Sequence, residues 1–571
     1  MRKNKPLVDD LCKIVGKKQV RTNTILTEYY RRGFRSGGGT ALAVVWPDSL
    51  VALWRVLQAC VKHNTIIVMQ AAKTGLTEGS APSGDDYDRD VIVINTLKMK
   101  DLFLIRDGQQ IVSLPGATLH RLEQELDKLG RAPHSVIGSS CIGASIVGGV
   151  ANNSGGALVK RGPAYTELSL FARVTETGEL ELVNHLGINN LGTQPEEILS
   201  NLEAGRFKES DILDDERLAS DQEYEQRVRE VDAEEPARYN ADARRLYEAS
   251  GCAGKIAVFA VRLDTFRVPE KESVYYVGCN DTALLATVRR EMLTRLEHLP
   301  ETAEYMHREA FDVAEKYGKD VFLLIYHLGT EFLPKMFSIK GVVDAYLNKV
   351  PFLPSYLSDK ILQWISQLWP CHLPKRMLAY RDKYEHHLII KAADACIPET
   401  QALLSELFAD VPEKDGGFFE CVGTEAKKAY LHRFAAAGSA VRYQVMHQKA
   451  VDEILVLDIA LRRNDSDWFE QLPEEITKDL VARLYYGHFF CHVLHQDYIV
   501  KKSANSKAIK EKMLALLQER GAKYPAEHNV GHLYQAEPQL AAFYRKLDPT
   551  NTFNPGIGKT SKRRCCESLP H

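Results

Sequence analysis

The chain has 571 residues, of which 45% are hydrophobic and 26% are charged, and its formal net charge is −3. This length is too great for one compact core, so two to four domains are expected, and the composition is that of an ordinary globular protein. The slightly acidic balance argues against a general nucleic-acid binder. The 11 cysteines show no C-x-x-C spacing, which indicates reduced thiols rather than a disulfide framework.

The first half of the chain contains short apolar strands with few helices between them. Strands are predicted at 41–45, 65–69, 91–94, 111–114 and 255–261. Between the first two strands, apolar residues recur at helical spacing: Leu50, Leu53, Trp54, Leu57 and Val61. This order predicts an α+β domain rather than a doubly wound sheet.

Two stretches differ from the rest in composition. Residues 132–159 contain no Asp, Glu, Lys or Arg, but their glycines, serines and asparagines transfer poorly to lipid, which argues against a membrane span. Residues 196–235 are strongly acidic, which is typical of an exposed or poorly ordered insertion.

Two glycine-rich loops have the composition of phosphate-binding segments. One covers residues 69–80, directly after a predicted strand, and the other covers 138–156. Small residues let the backbone approach a diphosphate, so that successive N–H groups can surround it. Taken singly, each loop is equally compatible with a tight turn between packed elements. No G-x-G-x-x-G motif opens a βαβ unit, which argues against a Rossmann-type NAD site.

Histidines cluster late in the chain. His488, His492 and His495 follow one another at i, i+4 and i+7, which is one face of a helix, whereas a strand would split them. Glu527 and His528 follow further on. A histidine has a pKa near neutrality and suits a general base, although a single one is more often a satisfied residue at a domain interface.

The segment 333–381 is both basic and aromatic. An apolar stripe at helical spacing is formed by Leu357, Ile361, Ile365, Leu368 and Trp369. A basic, tryptophan-bearing amphipathic helix is suited to lie in a membrane interface. The alternative is that the stripe packs on the protein's own core.

Several motifs together resemble known flavoproteins. A strand, the motif WPDS at 46–49, a helix, a second strand and the two glycine-rich loops resemble the FAD-binding domain of the vanillyl-alcohol-oxidase type. Spaced blocks along nearly the whole chain resemble the respiratory D-lactate dehydrogenases. These blocks include FRSG at 34–37, RGPAY at 161–165, GCAGK at 251–255, DKYEHH at 382–387 and PAEHNVGH at 525–532.

The resemblance implies a fold and a division of the chain. The expected class is α+β, with a two-subdomain FAD-binding domain of the PCMH type, a discontinuous α+β cap domain and an inserted helical membrane-binding segment. The FAD-binding domain would cover 1–268 and be completed by 516–571. The cap would cover 269–310 and 387–515, and the membrane-binding segment 311–386.

The resemblance also implies which residues hold FAD. Those expected at the pyrophosphate are Ala71, Ala72, Lys73, Thr74, Gly75, Gly79 and Ser80. Those expected along the rest of the cofactor are Gly138, Ser145, Gly155, Ile256 and Val258. Relatives that tether flavin covalently often use a histidine in the first loop, whereas Lys73 and Thr74 stand there in this chain. Noncovalent FAD is therefore expected.

The activity implied by the resemblance is oxidation of D-lactate to pyruvate, with hydride passing to FAD and electrons then to ubiquinone or menaquinone. The predicted catalytic groups are His528, His488, His495, Glu527 and Arg433. Arg433 would clamp the substrate carboxylate, with Arg462 in reserve, because an arginine can bind a carboxylate through two hydrogen bonds.

Some alternatives remain open. The substrate could be another 2-hydroxy acid, such as glycolate or 2-hydroxyglutarate, or the chain could be a noncatalytic membrane-associated flavoprotein. An obligatory metal is not expected, although two histidines and Glu527 are residue types that ligate metals. Members of the resembling family are peripheral membrane enzymes. The expected location is therefore the anionic phospholipid surface on the cytoplasmic face of a bacterial inner membrane.

Overall fold

The computed structural model describes residues 4–135, 140, 142–214, 216–329, 343 and 356–564. Its first sheet has four strands in the order β1-β2-β4-β3, which are β1 (Val20–Arg21), β2 (Ala43–Val45), β3 (Ile66–Gln70) and β4 (Val91–Asn95). The last three run parallel to one another. Three helices accompany this sheet, namely α1 (Lys5–Val15), α2 (Thr24–Arg31) and α3 (Leu50–Lys62). The strands and the helix predicted here from apolar periodicity are confirmed.

A second sheet of five antiparallel strands follows, in the order β5-β6-β10-β8-β9. Its strands are β5 (Leu102–Ile105), β6 (Gln110–Ser113), β8 (Ser169–Val174), β9 (Leu180–Asn184) and β10 (Ala257–Asp264). A separate two-stranded ribbon joins β7 (Arg131–Ala132) to β11 (Phe266–Arg267). The helices of this region are α4 (Leu119–Asp127), α5 (Ile146–Ala151), α6 (Pro195–Glu203) and α7 (Tyr224–Arg229).

The acidic stretch 196–235 is not an exposed insertion where the structure describes it. Tyr224, Val228 and Val231 are buried in a core that also contains residues of the second half of the chain. Glu230 and Glu235 form ion pairs with the buried guanidinium of Arg463. The expectation of a poorly ordered segment is wrong, because buried apolar residues and these partly exposed ion pairs hold the stretch against the second half of the chain.

The second half of the chain is organised around a seven-stranded sheet with strand order β15-β12-β14-β13-β17-β18-β16. All of its neighbouring strands are antiparallel. The strands are β12 (Glu272–Cys279), β13 (Thr302–His307), β14 (His386–Ala393), β15 (Gly416–Glu420), β16 (Val451–Ala460), β17 (Leu480–His488) and β18 (Val493–Lys501). This mixture of sheets and helices confirms the predicted α+β class.

Helices connect the strands of the second half of the chain and follow its last strand. They are α8 (Thr282–Arg295), α9 (Arg308–Tyr317), α10 (Lys319–Leu328), α11 (Leu357–Gln367), α12 (Lys375–Lys383), α13 (Cys396–Leu407), α14 (Glu425–Met446), α15 (Glu474–Thr477), α16 (Ser506–Glu519) and α17 (Pro538–Leu547). Phe311 and Ala314 on α9 share a buried apolar core with Ala435 and Ala436 on α14. Helix α9 therefore packs against α14, although most of α9 lies within the segment 311–386 that was expected to bind the membrane.

The residues after α17 return to the first sheet. Phe553 forms a parallel bridge with Ile67 on β3, where the Ile67 N–H donates to Thr552 O and the Asn554 N–H donates to Ile67 O. The Asn554 side chain also donates to Gly79 O and Ala253 O. This returning segment supports the strand from which the first glycine-rich loop emerges.

Helix α11 has its polar residues inward and its apolar residues outward. Asp359, Gln363 and Ser366 are buried. Among the residues of the predicted stripe, Ile361, Ile365, Leu368 and Trp369 are exposed, and so is Trp364. The alternative that this stripe packs on the protein's own core is wrong for these residues. Of the basic and aromatic segment, 333–342 and 344–355 lie outside the described residues.

No helix in the described ranges is both long enough and apolar enough to cross a membrane.

Candidate active site

A cleft of about 2630 Å³ lies between the two halves of the molecule. The predicted cofactor residues on its wall are Ala71, Ala72, Lys73, Thr74, Gly75, Gly79, Ser80, Ser145, Gly155, Ile256 and Val258. Gly138 lies outside the described residues. Small-molecule sites usually measure about 300–1,000 Å³, so this cleft has room for a dinucleotide and a substrate together.

Two glycines of these loops lie too close to the opposite wall to carry a side chain. A Cβ on Gly79 would be 2.8 Å from Asn529 Oδ1, and one on Gly155 would be 2.6 Å from Glu527 Oε1. A Cβ on Gly75, in contrast, would meet only Asn152 Nδ2 at 3.8 Å. The loops thus contact the segment that carries Glu527 while leaving open space beside Gly75, as a cofactor cradle requires.

Lys73 is directed away from the open part of the cleft. Its ammonium group donates to Tyr29 O at 2.6 Å and to Arg32 O at 2.8 Å, both at the end of α2. The same group lies 4.0 Å from the ring centre of Tyr29. Burial lowers the pKa of Lys73. This lysine therefore ties the first glycine-rich loop to α2 instead of offering a side chain to the flavin.

His488, His492 and His495 lie on a β-hairpin, so the structure shows the strand alternative, in which the three are split. His488 ends β17, and His495 on β18 pairs with Tyr486, two residues before His488. Residues two apart on a strand share a face, so His488 and His495 meet with their Nε2 atoms 3.3 Å apart. His492 lies in the turn with φ 53° and is buried away from this pair, near Arg462 O.

Glu527 completes a compact group with this histidine pair. Its Oε2 atom lies 3.5 Å from His488 Nε2 and 3.8 Å from His495 Nε2, while its Oε1 accepts from the buried Arg238. Burial by itself raises the pKa of Glu527, but the positive charges of Arg238 and His488 outweigh it and hold the pKa well below its usual value. Glu527 is thus a carboxylate under ordinary conditions.

Glu304 is a functional candidate that sequence reasoning missed. It lies directly opposite His488 in the pairing of β13 with β17. Glu304 Oε1 is 2.5 Å from His488 Nδ1, and Oε2 is 3.0 Å from Arg433 Nη2. Burial lowers the pKa of His488, yet the charges of Glu304 and Glu527 raise it to about 10. Burial likewise raises the pKa of Glu304, and the charges of His488 and Arg433 reverse the shift.

Asp458 contacts His495 and the backbone of Glu527, and sequence reasoning did not identify it. Its Oδ1 lies 3.3 Å from His495 Nδ1, and its Oδ2 accepts from the backbone N–H of Glu527 at 2.8 Å. His528 Nε2 lies 4.0 Å from Asp458 Oδ2, and the His528 side chain is about one-third exposed on the cleft wall. Burial raises the pKa of Asp458, but hydrogen bonding to His495 and the charge of His528 bring it below the usual value.

A divalent metal would fit the same group. One ligand atom each from His488, His495 and Glu527 lies within 4.8 Å of the others. Both histidines turn Nδ1 towards a carboxylate, Glu304 or Asp458, which is how metal-binding histidines are usually oriented. The three residues are therefore the ones that could hold a metal, and the alternative raised by the sequence stays open.

Arg433 faces the cleft from α14. It lies over the ring of Tyr486 at 4.6 Å, and its Nε atom is buried without a hydrogen-bond partner in the described part of the chain. Tyr486 donates to Asp497 at 2.9 Å. Arg35, on the segment after α2, lines the same cleft. Arg462, the reserve candidate for the clamp, is not among the described residues that line it. A guanidinium with an unused donor is suited to receive a carboxylate.

Models of two known families match the chain. The model described as "D-lactate dehydrogenase, membrane binding" matches residues 274–565, and the model of an FAD-binding domain matches 41–183. In solved structures, p-cresol methylhydroxylase has a TM-score of 0.57 with 11% identity, over 97% of this chain and 96% of that chain. This similarity confirms the predicted PCMH-type fold and shows the fold alone.

Two full-length relatives are much closer in sequence. The quinone-dependent D-lactate dehydrogenase of Escherichia coli (strain K12) is 56% identical over 561 residues, and that of Haemophilus influenzae is 55% identical over 558 residues. Each alignment covers 98% of this chain and 98% of the relative. The chain therefore belongs to the FAD-dependent family of quinone-dependent D-lactate dehydrogenases.

Proposed function

We propose that this protein oxidises D-lactate to pyruvate in the cleft between its two halves and passes the electrons to ubiquinone or menaquinone. The observation that carries the proposal is the position of the histidines and Glu527, which line the same cleft as the FAD loops. FAD bound there, without a covalent link, would accept hydride from the substrate's α-carbon. The remaining chemistry, removal of the hydroxyl proton and binding of the carboxylate, falls to the protein's own side chains.

His528 is the proposed general base. His488 has Glu304 at Nδ1, and His495 has Asp458 at Nδ1, while their Nε2 atoms face each other and Glu527. His528 has a carboxylate only at 4.0 Å and is partly exposed on the cleft wall, so a ring nitrogen can reach a substrate hydroxyl. His488 and His495 would orient the hydroxyl and stabilise the negative charge that develops on its oxygen, while the Glu527 carboxylate would orient the two imidazole rings.

Arg433 is the proposed clamp for the substrate carboxylate. Its salt bridge to Glu304 fixes the guanidinium through Nη2, and the ring of Tyr486 supports its face. The donors that remain can form two parallel hydrogen bonds to a carboxylate, which also fixes the orientation of the α-carbon. Glu304 then positions both the clamp and His488, because each of its oxygens faces one of them.

The exposed apolar side of α11, continued by the two residues that follow the helix, is the proposed membrane anchor. Trp364, Trp369 and Leu368 are each more than half exposed, while Gln363 donates to Lys316 O and Asp359 pairs with Arg442 on the buried side. Exposing the apolar face of a helix to water is unfavourable in free energy, and insertion of that face into a lipid interface removes the unfavourable contact with water. We propose an anionic phospholipid surface on the cytoplasmic face of a bacterial inner membrane.

We propose the same domain boundaries that the resemblance implies. Residues 1–268 with 516–571 would bind FAD, residues 269–310 and 387–515 would form the cap, and 311–386 would bind the membrane. The bridge between Ile67 and Phe553 supports the assignment of the last residues to the FAD-binding part. The packing of α9 against α14 supports a membrane-binding segment that is anchored in the cap.

The decisive test is anaerobic mixing of the FAD-loaded protein with single 2-hydroxy acids while flavin absorbance near 450 nm is followed. D-lactate should bleach the flavin at least about tenfold faster than L-lactate, glycolate or D-2-hydroxyglutarate. Faster bleaching by one of the others would assign a different 2-hydroxy acid. A flavin that no such acid bleaches would indicate a noncatalytic flavoprotein.

A further inference from the structure

Helix α2 packs Tyr30 against Trp46 but exposes its other large apolar side chains. Thr27 is its one buried residue, whereas Ile25 is 79% exposed, Leu26 57% and Tyr29 64%. Phe34, just beyond the helix, is also exposed. A helix that only has to pack on its own protein turns its apolar side inward. Helix α2 turns apolar side chains towards solvent, as α11 also does.

The apolar residues of α2 lie among positive charges. Between positions 17 and 35 the sequence has one acid, Glu28, against six basic residues, Lys17, Lys18, Arg21, Arg31, Arg32 and Arg35. Glu28 is paired with Arg32 at 2.6 Å. We call residues 17–35 the α2 surface. It combines a strong positive charge with exposed Ile, Leu, Tyr and Phe side chains, the composition that attracts an anionic lipid surface.

The α2 surface is also connected to the flavin cleft. Tyr29, Phe34 and Arg35 line the cleft, whose wall further includes Ile325 on α10 and Leu362 on α11. The Lys73 ammonium, which belongs to the first glycine-rich loop, donates to the last carbonyls of α2. The α2 surface and the proposed α11 anchor therefore border one cleft, and the former is bonded to the loop that would hold the pyrophosphate.

We propose that the α2 surface is a second membrane-contact surface, on the FAD-binding part of the chain, and that its partner is an anionic phospholipid bilayer. The inference rests on the proposed function. Contacts on both sides of the cleft would hold its mouth against the lipid, where a hydrophobic quinone is dissolved. A second copy of the chain fits less well, because a symmetric interface would bring the same cluster of positive charges against itself.

The test compares three double variants of the FAD-loaded protein. Ile25→Ser with Leu26→Ser removes the apolar part of the α2 surface, and Lys17→Gln with Lys18→Gln removes part of its charge. Leu129→Ser with Leu213→Ser is the matched control, because both leucines are exposed but lie outside the α2 surface and α11. Binding is measured by sedimentation with vesicles of phosphatidylglycerol and phosphatidylcholine, and with vesicles of phosphatidylcholine alone.

The Ile25→Ser/Leu26→Ser variant should bind mixed vesicles roughly tenfold more weakly, and the control should bind as the wild type does. The Lys17→Gln/Lys18→Gln variant should lose a similar factor on anionic vesicles and almost nothing on neutral ones. In the wild type, mixed vesicles should slow hydrogen–deuterium exchange of the amides of residues 24–34. D-lactate oxidation with a soluble dye should be unchanged in every variant.

Two results would overturn the inference. One is unchanged vesicle binding by Ile25→Ser/Leu26→Ser together with unprotected amides at 24–34. The other is a lipid-free dimer of the wild type in sedimentation velocity that this variant abolishes, which would assign the α2 surface to a second copy. Failure of the proposed function is recognised separately, because it appears as absent flavin bleaching by D-lactate and leaves the vesicle measurements readable.

Discussion

In a Glu304→Gln variant, the group between His488 and Arg433 keeps its size but loses its negative charge. One amide oxygen can still accept from His488 Nδ1, while the amide nitrogen faces Arg433 Nη2, so that two donors oppose each other. Arg433 is 7% exposed, and Glu304 is its ion-pair partner at 3.0 Å. The variant therefore leaves a buried guanidinium without its carboxylate.

The expected loss of stability depends on the burial of the ion pair and on the interactions that His488 keeps in the variant. Removing one partner of a buried ion pair typically costs about 3–5 kcal/mol. Glutamine retains a hydrogen bond to His488, and Glu527 still lies 3.5 Å from His488 Nε2. We therefore expect the free energy of unfolding to fall by about 2–3 kcal/mol. A clamp displaced by roughly 1 Å should slow flavin reduction by about 10²-fold and weaken D-lactate binding.

Thermal unfolding of the FAD-loaded protein measures the loss of stability. Single-turnover flavin reduction at increasing D-lactate concentration measures the slower reduction and the weaker D-lactate binding. Glu301→Gln is the matched control, because Glu301 also lies on the cleft wall but pairs with the partly exposed Lys160 at 2.8 Å. This control should lose less than about 1 kcal/mol. A Glu304→Gln variant with wild-type stability, limiting rate and D-lactate affinity would refute the assignment of Glu304 as a positioning residue.

Three further predictions test the cofactor, the base and the anchor. Acid precipitation should release yellow flavin into the supernatant, and flavin mass on a peptide would contradict noncovalent binding. His528→Ala should retain FAD and slow flavin reduction by about 10²- to 10⁴-fold, whereas a near-wild-type rate would move the role of base to His495. Trp364→Ser with Trp369→Ser should weaken vesicle binding by at least about tenfold without changing dye-linked activity, because both tryptophans are more than half exposed. Undiminished binding by this folded, active variant would exclude α11 as the anchor.

Local signals in the sequence were sufficient for the strands around α3, because these are short apolar runs. The assignment of FAD to the glycine-rich loops came from the resemblance of several motifs together, because each loop taken singly also fits a tight turn. The histidine cluster was harder, because a spacing of seven residues fits both two turns of a helix and a hairpin with a short turn. Tyr485 and Tyr486 before the turn and Tyr498 after it favour strands, and this signal would have identified the hairpin.

The charged partners of the histidines could not be predicted from the sequence. Glu304 lies 184 residues before His488 in the chain, and their contact depends on the register of β13 against β17. A lone acid in an alternating strand normally points to solvent. For α11, the apolar stripe was visible, but its direction was not. Only the packing of Asp359 and Gln363 against the protein shows that the apolar side faces outward.

The return of the chain to β3 has a consequence for biosynthesis. Asn554 holds Gly79 in the first glycine-rich loop across a separation of 475 residues, and Thr552 and Asn554 complete the hydrogen bonding of Ile67. At about 5–20 residues per second, the ribosome needs roughly half a minute to a minute and a half to span that distance. The loop that would hold the pyrophosphate is thus made long before the residues that complete its hydrogen bonding. FAD is expected to enter the protein only after residue 554 has been synthesised.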